Sequence, residues 1–389
     1  MPEAPRSGRY AGQGAGLGRS GSTGGGQRRT PHGSFTKAAH RVHVMDRAAT
    51  RDPADMTIDT ESAHPTPETA SSGTDGPARA RPAASGPVVS GGSSADRPIR
   101  FSHRLEAAGL RLATGLMRLL PLDAASWFMG TCWRLVAPLT RRQRRVEAHL
   151  ALAFPEKSAD ERRAIALAQW ENLGRTFVEA LMLDRIAADP SRIALPPAVV
   201  DGRPLTDFAA NGLVLVSLHA GNWELATLAA MRMGLSPAGV YRPLSNPLSE
   251  AVLRREREPY YPGGLFSRRE GSALARRIIQ RTRAGGATAI VADLREAGGV
   301  TVRFFGHPAS ATPFPAMIAR TTGVPVLAGR VIRTGGARFR VEIEPVPIPH
   351  TPDKAADIQA GTQAIHDLFE RWIRERPEQW FWPHPKWTP

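Results

Sequence analysis

The chain has very little cysteine: one residue, Cys132, among 389. A single cysteine cannot close a disulfide within the chain, and the sequence has neither a Cys-x-x-Cys pair nor a Cys/His cluster with zinc-like spacing. A disulfide scaffold and a structural zinc site are therefore not expected, and we predict no bound metal or cofactor. Apolar burial must supply the stability, which a chain of this length can provide.

The sequence also lacks a protein nucleophile in a catalytic setting. It contains no Gly-x-Ser-x-Gly turn that would present a serine at the edge of a sheet, and Cys132 lies in a stretch with helical periodicity. A covalent acyl-enzyme is therefore not indicated.

Negative charge is scarce relative to positive charge, because 51 lysines and arginines face 36 aspartates and glutamates, for a formal net charge of +15. This excess favours polyanionic partners: nucleic acid, anionic lipid, a phosphorylated glycolipid or an acidic carrier protein. No helix-turn-helix, zinc finger or aromatic RNA-binding signature supports nucleic acid, so we expect no such partner. A non-catalytic basic protein that binds nucleic acid or anionic lipid stays open as an alternative to an enzyme.

Aromatic residues are nearly absent from residues 1–100, which are rich in Gly, Ser, Pro, Thr and Ala. Such a composition cannot bury enough apolar surface to repay the entropy of ordering, so we predict a disordered low-complexity tail. The tail lacks the apolar run of a secretory signal, which favours a plain tail or an over-extended start with initiation at Met45 or Met56. Residues 101–389 then form the folded domain.

Residues 101–140 have helical periodicity but no long uncharged run. Charged side chains interrupt every window of about 20 residues, the length a spanning helix needs: Arg111, Arg118, Asp123 and Arg134. We therefore expect amphipathic, membrane-associating helices that lie in the headgroup region of an anionic membrane, followed by the basic run RRQRR at 141–145. The alternative is an ordinary helical layer that packs on the core.

The rest of the chain alternates helical and strand patterns. Ser158 and Glu161 form a capping-box signature at the start of a strong helix over 158–186. Short apolar runs suited to buried strands then alternate with helices, and a β-hairpin around Gly335-Gly336 precedes a closing helix. The pattern predicts an α/β fold with a mostly parallel central sheet flanked by helices, and with ligands outside the carboxyl ends of its strands.

His219 ends one predicted strand in the stretch LHAGNWELA, and Glu224 follows five positions later in the first turn of a helix. A strand-loop-helix corner can return this carboxylate to the imidazole, and such a pair makes a general base able to activate a substrate hydroxyl. Taken in isolation, the same residues are also compatible with a core histidine and a carboxylate favoured by the helix dipole.

Two more polar residues end predicted strands. Arg242 can bind a phosphate or stabilise an oxyanion, or it can form a surface ion pair. Asp293 can orient a base or hold Arg242, or it can be a turn aspartate. With Asn222 in the turn after His219, these residues are our candidates for substrate binding.

Several stretches, in this order, resemble the lipid A late acyltransferases (lauroyl/myristoyl type) of the lysophospholipid acyltransferase superfamily. They span roughly residues 101–389 and include LHAGNWELA, VYRPLSNPL, FFGHP and PEQW. The resemblance implies transfer of a fatty acyl group from acyl carrier protein, or from acyl-CoA, to a hydroxyl of a lipid A precursor at the cytoplasmic face of the inner membrane. It also implies that His219 is the general base, that Glu224 is its partner, and that Arg242 and Asp293 are polar groups of the cleft.

The sequence departs from the family pattern at its end. Members usually close with Trp-Leu-His-Arg-Arg-Trp, whereas this chain has WPHPKW at 382–387. Glycerolipid enzymes of the superfamily have Asn-His-x4-Asp and Pro-Glu-Gly-Thr, and neither is present here. The alternative within the class is an acyltransferase for another membrane glycolipid, such as a phosphatidylinositol mannoside.

Overall fold

The computed structural model describes residues 99–268 and 272–387. All but the last two residues of the predicted low-complexity tail lie outside this description. The α-helices of the described residues are α1 (Phe101–Arg118), α2 (Leu122–Val136), α3 (Arg142–Ala153), α4 (Ala159–Ala180), α5 (Leu183–Ala187), α6 (Leu205–Ala210), α7 (Ala226–Arg232), α8 (Pro247–Arg257), α9 (Ser272–Arg283), α10 (Phe314–Thr322) and α11 (Lys354–Glu375).

The strands of the described residues are β1 (Ile193–Ala194), β2 (Val199–Val200), β3 (Arg203–Pro204), β4 (Leu213–Ser217), β5 (Pro237–Tyr241), β6 (Leu265–Ser267), β7 (Ala287–Val291), β8 (Val300–Phe304), β9 (His307–Ala311), β10 (Val326–Gly335) and β11 (Arg338–Val346). Seven of them form one sheet in the order β1-β11-β10-β4-β7-β5-β6. All neighbours in it are parallel except β10 and β11, which are antiparallel. The predicted α/β fold with a mostly parallel sheet is confirmed.

The central strand β4 is buried on both faces, which explains its continuous apolar sequence. Val214 and Val216 contribute to the large core cluster that also contains residues of α9, α10 and α11. Leu213 and Leu215 belong to the cluster on the other face, with residues of α6 and α7. The sheet is therefore covered by helices on both sides, and its strand ends are the places open to a ligand.

The predicted helix start at Ser158 and the predicted hairpin at Gly335-Gly336 are both present in the structure. The Ser158 hydroxyl accepts a hydrogen bond from the Glu161 amide, and the Glu161 carboxylate accepts one from the Ser158 amide, so the capping box begins α4. The predicted hairpin around Gly335-Gly336 is the β10–β11 pair. The β8–β9 hairpin was not predicted: its two turn residues, Phe305 and Gly306, both have positive φ, and phenylalanine is an unusual residue for such a turn.

Helices α1 and α2 carry many large apolar side chains that solvent reaches. They and the turns that follow them expose Phe101, Leu105, Leu112, Leu116, Leu119, Trp127, Phe128, Leu135, Val136 and Leu139. Neither they nor the other described helices are long and apolar enough to cross a membrane.

Candidate active site

The candidate site lies at the carboxyl end of β4, where the chain turns sharply at Gly221. This glycine has φ +58°, and a Cβ atom there would lie 1.7 Å from the Val331 carbonyl oxygen. Only glycine fits such a close approach in a left-handed conformation. Its own carbonyl accepts hydrogen bonds from Asn172 and Thr176 of α4, at 3.0 and 2.8 Å. The backbone of the loop that carries His219 is thus held by side chains of α4 and by its close packing on β10.

His219 is paired with Asp293, which follows the neighbouring strand β7. The His219 Nδ1 atom lies 2.7 Å from Asp293 Oδ1, and the His219 amide donates to Asp293 Oδ2 at 3.0 Å. The histidine side chain is 18% exposed and the aspartate is fully buried. Burial alone would raise the pKa of Asp293. The charge of His219, the hydrogen bonds from His219 and the hydrogen bond from the Trp380 indole outweigh burial and lower the pKa of Asp293 to about 2. An ionised carboxylate on Nδ1 leaves Nε2 as the basic atom.

The predicted contact between Glu224 and His219 is wrong. Glu224 forms a bidentate ion pair with Arg257 at the end of α8, at 2.6 and 2.7 Å, and accepts from the Trp223 indole at 3.0 Å. No hydrogen bond joins Glu224 to His219 among the described residues. The physical reason is competition: a guanidinium fork satisfies both carboxylate oxygens, whereas Asp293 already holds the histidine nitrogen.

Asn222, which we predict to bind substrate, contacts a buried carboxylate beneath the loop. It is fully buried, and its amide nitrogen donates to Glu179 Oε2 at 2.8 Å. Glu179, itself fully buried, forms a bidentate pair with Arg333 of β10 and accepts from the Ser126 hydroxyl. A buried charge is tolerated when it is paired and hydrogen-bonded in this way. The network joins α2, α4 and β10 underneath the His219 loop.

Arg242 lies on the rim of an open pocket of about 860 Å³. The other charged or titratable side chains on its walls are Arg268, Arg295, Glu296 and His384. Arg268 pairs with Glu296 at 2.6 Å. The described residues hold no ion-pair partner for Arg242, so the alternative of a surface ion pair is not seen, and Asp293 does not hold it. Three guanidinium groups against one carboxylate make the pocket suited to an anion.

His384 connects this pocket to the histidine–aspartate pair. Burial lowers its pKa to about 4, and the charge of His219 acts in the same direction while that of Asp293 opposes it. Near neutral pH the His384 ring is therefore uncharged. Its Nδ1 atom is buried and has no hydrogen-bond partner among the described residues.

An apolar cavity extends from the other side of the loop, between the sheet and α7. Its walls include Trp223, Ala226, Ala230, Leu215 and Tyr261. The Trp223 ring packs edge-on against His219, with ring centres 5.1 Å apart. Desolvation raises the pKa of Tyr261 to about 12, so the cavity carries no charge on this phenol at neutral pH. The site therefore offers an apolar cavity that reaches the imidazole through Trp223 and a cationic pocket that reaches it through His384.

Sequence analysis missed several contributors to this site: Arg257, Glu179 and Trp380, and the pocket residues Arg268, Arg295 and His384. The signal for the His219–Asp293 pair was present, since each ends a strand. Ser217 and Val291 are paired in register on β4 and β7, and the two site residues each come two positions later. Among the described residues, no cluster of three or more His, Cys, Asp or Glu side chains could hold a metal ion.

Comparison with known proteins defines the chain as an acyltransferase. It belongs to the bacterial lipid A biosynthesis acyltransferase family, whose model matches residues 99–388. The resemblance predicted from the motifs is thereby confirmed.

Two curated relatives indicate a glycolipid acyltransferase. One is a lipid A biosynthesis lauroyltransferase from Escherichia coli (strain K12), 27% identical over 264 residues, which are 63% of this chain and 79% of the relative. The other is a phosphatidylinositol mannoside acyltransferase from Mycobacterium tuberculosis (strain ATCC 25618 / H37Rv), 27% identical over 198 residues. That match covers 45% of this chain and 54%, about half, of the relative.

Proposed function

We propose that this protein transfers a fatty acyl group from an acyl carrier protein thioester to a hydroxyl of a lipid A precursor, with His219 as the general base. The observation that carries the proposal is the 2.7 Å contact of His219 Nδ1 with the buried Asp293 carboxylate. Trp223 links the His219 ring to the apolar cavity, and His384 links the pair to the cationic pocket. The carboxylate fixes the tautomer that leaves Nε2 free to take a proton.

The reaction needs no protein nucleophile. His219 Nε2 takes the proton of the acceptor hydroxyl while that oxygen bonds to the thioester carbonyl carbon. The tetrahedral intermediate collapses, the carbon–sulfur bond breaks, and the carrier leaves as a thiolate. The imidazolium then returns its proton to the thiolate, which restores the base. A thiolate is a good leaving group, so one histidine serves both steps.

Glu224 takes part through its neighbours in this proposal. Its ion pair with Arg257 lies beside Trp223, which contacts both the His219 ring and the apolar cavity. Glu224 therefore fixes the cavity wall next to the base. The general base is His219, and the carboxylate that orients it is Asp293.

The apolar cavity is the place for the acyl chain. Its lining is dominated by small and aliphatic side chains from both the sheet and α7. Each buried methylene stabilises the bound chain by about 0.8 kcal/mol, so the number of methylenes that the cavity accepts sets the preferred chain length. The cavity is about 80 Å³, against about 860 Å³ for the cationic pocket, so its walls must separate as an acyl chain enters. Ala226 and Ala230 are the small residues of α7 that give this space.

The cationic pocket receives the acceptor headgroup. Arg242, Arg268 and Arg295 line it, and guanidinium groups bind phosphate by paired hydrogen bonds. A phosphorylated glycolipid satisfies this charge, and so does the phosphate of a phosphatidylinositol mannoside, the acceptor type named for the second relative. The first relative, with its greater coverage, favours the lipid A precursor.

Attachment to the cytoplasmic face of the inner membrane fits the surface of α1 and α2. The exposed side chains include Phe101 at 81%, Trp127 at 58% and Leu139 at 84%, and the arginines of the run 141–145 follow directly. An apolar, tryptophan-bearing face beside cationic residues is typical of helices that lie in an anionic headgroup layer.

The proposal is tested with purified protein, acylated carrier protein and a panel of acceptors. We expect carrier thiol release with a lipid A precursor, slower release with a phosphatidylinositol mannoside, and none for a His219→Ala variant whose thermal transition matches the parent. Acyl-CoA in place of the carrier tests the donor. Full activity of His219→Ala would refute the mechanism, and salt-sensitive DNA binding with no transfer to any acceptor would favour a non-catalytic basic protein.

A further inference from the structure

The segment that follows α11 lies directly against the loop that carries His219. The Phe381 amide donates to the His219 carbonyl at 2.9 Å, and the Gly221 amide donates to the Gln379 carbonyl at 2.9 Å. Ala220 and Trp380 form an antiparallel bridge between these two contacts. The His219 loop thus has a neighbouring strand-like segment from the distant end of the chain.

Trp380 also reaches the carboxylate behind the histidine. Its indole nitrogen donates to Asp293 Oδ2 at 2.8 Å, the same oxygen that accepts the His219 amide. His219 Nδ1 contacts the other oxygen, Oδ1, so the carboxylate takes part in three hydrogen bonds. Two of them come from His219, in the loop after β4, and the third comes from Trp380.

The orientation of the Trp380 indole is fixed by aromatic neighbours. The ring is 2% exposed and packs edge-on against Trp382, with ring centres 4.6 Å apart, and against Phe304 at 5.9 Å and Trp387 at 6.2 Å. Edge-to-face packing at these distances is favourable and directional. The ring therefore cannot turn away from Asp293 without disturbing several others.

We propose that Trp380 is a positioning residue, which holds the Asp293 carboxylate in the plane that keeps the His219 imidazole in its reactive tautomer and orientation. The proposal rests on the function given above for its kinetic consequence, although the geometry itself does not depend on the substrate. Trp380 acts through Asp293 and does not touch a reacting atom.

Other titratable groups surround the pair and must be considered in any test by pH. His219 faces Asp293, and its charge also acts on His384. The charge of Asp293 acts on two further buried groups, His366 and Lys386. The His366 Nε2 atom lies 3.0 Å from Lys386 Nζ. Burial lowers the pKa of Lys386 to about 8 and that of His366 to about 3. Among these groups, His384 and His366 are therefore neutral above about pH 5.

The experiment compares Trp380→Phe with a matched control. Trp372→Phe also removes a 2.8 Å hydrogen bond from a buried indole to a carboxylate, that of Glu344, away from the site. We expect kcat of Trp380→Phe to fall about tenfold to a hundredfold with little change in KM, since the lost bond is charge-assisted and orients the base. Trp372→Phe keeps kcat within about twofold of the parent, and the thermal transitions of both variants are recorded.

A second measurement does not need turnover. Diethyl pyrocarbonate labels neutral imidazole, and the labelled His219 peptide is quantified by mass spectrometry as a function of pH. Removing a donor from Asp293 leaves more negative charge to hold the protonated ring, so we expect the labelling midpoint of His219 to move to higher pH in Trp380→Phe and to stay in place in Trp372→Phe.

The two measurements separate the possible failures. An unchanged kcat and an unchanged labelling midpoint in folded Trp380→Phe overturn the positioning role. If the parent protein transfers no acyl group to any acceptor, the proposed function fails, and the labelling midpoint alone then decides the role of Trp380. Equal losses in Trp380→Phe and Trp372→Phe, with equal falls in thermal stability, would assign Trp380 a purely structural part and refute the proposal.

Discussion

Replacing Asp293 by asparagine isolates the question of which carboxylate serves His219. The Asp293 Oδ2 atom accepts two donors, the His219 amide and the Trp380 indole, while Oδ1 faces His219 Nδ1. In Asp293→Asn the amide NH₂ cannot face two N–H groups, so it takes the Oδ1 position. It then donates to Nδ1, which forces the imidazole proton onto Nε2 and removes the base from the reacting side.

We expect a large loss of kcat because the substitution changes the tautomer of His219 while it leaves the packing nearly unchanged. Conversion of the orienting aspartate of a serine-protease triad to asparagine lowers kcat by roughly 10⁴-fold, and we expect about 10³- to 10⁴-fold here. This corresponds to about 4–5 kcal/mol of transition-state stabilisation. Single-turnover transfer from a radiolabelled acyl carrier protein measures it.

Glu224→Gln is the informative comparison. This substitution removes the negative charge from the Glu224–Arg257 ion pair, in which the Glu224 side chain is 10% exposed and the Arg257 side chain is 27% exposed. Breaking a fully buried pair costs about 3–5 kcal/mol; since Arg257 reaches solvent and glutamine keeps one acceptor, we expect about 1–2 kcal/mol. That lowers Tm by roughly 2–8 °C, while kcat falls less than about tenfold. If Glu224→Gln lost as much activity as Asp293→Asn at an unchanged Tm, the assignment of Asp293 as the partner of the base would be refuted.

Three further predictions concern the cavity, the pocket and the acid limit of the fold. Ala230→Leu fills part of the apolar cavity, and mass spectrometry of the product should show a shift toward shorter acyl chains; unchanged chain length would remove the cavity from acyl binding. Arg242→Ala should raise KM for a phosphorylated acceptor about tenfold with kcat nearly kept, and make KM less sensitive to salt; an equal effect on a neutral acceptor would count against phosphate binding. The pKa of Asp293 is lowered from 3.8 to about 2, so the stability from its ionised form is complete above about pH 4 and is lost as pH falls toward 2. Urea unfolding between pH 5 and 2 should therefore be less pH-dependent in Asp293→Asn than in the parent, and equal slopes would contradict this.

The fold could be predicted because its local signals agree with one another. The apolar runs of β4, β5, β7 and β10 are each long enough for a buried strand, and helical patterns separate them. The β8–β9 hairpin could not be predicted because Phe305 occupies a left-handed turn position, where glycine or asparagine is the usual residue. The Phe305 ring packs against Phe154 and Trp382, and this tertiary packing favours a conformation that the residue does not prefer locally.

The site could be predicted in part, for a reason that concerns distance along the chain. The strand-end rule selected His219 and Asp293 separately, but their pairing depends on β4 and β7 being neighbours, which is a property of the sheet order. Glu224 was favoured because it is close in sequence. Its actual partner, Arg257, lies 33 positions away at the end of another helix, and no local pattern indicates that contact.

The contact between Trp380 and Asp293, 87 positions apart in the chain, has a consequence for the protein during its synthesis. During synthesis β4 and β7 leave the ribosome before the residues after α11 do. The His219 loop is then without its Gln379 and Phe381 neighbours, and the base is not yet aligned. Because contacts of long sequence separation form late in folding, the catalytic geometry is completed only when the end of the domain has been made.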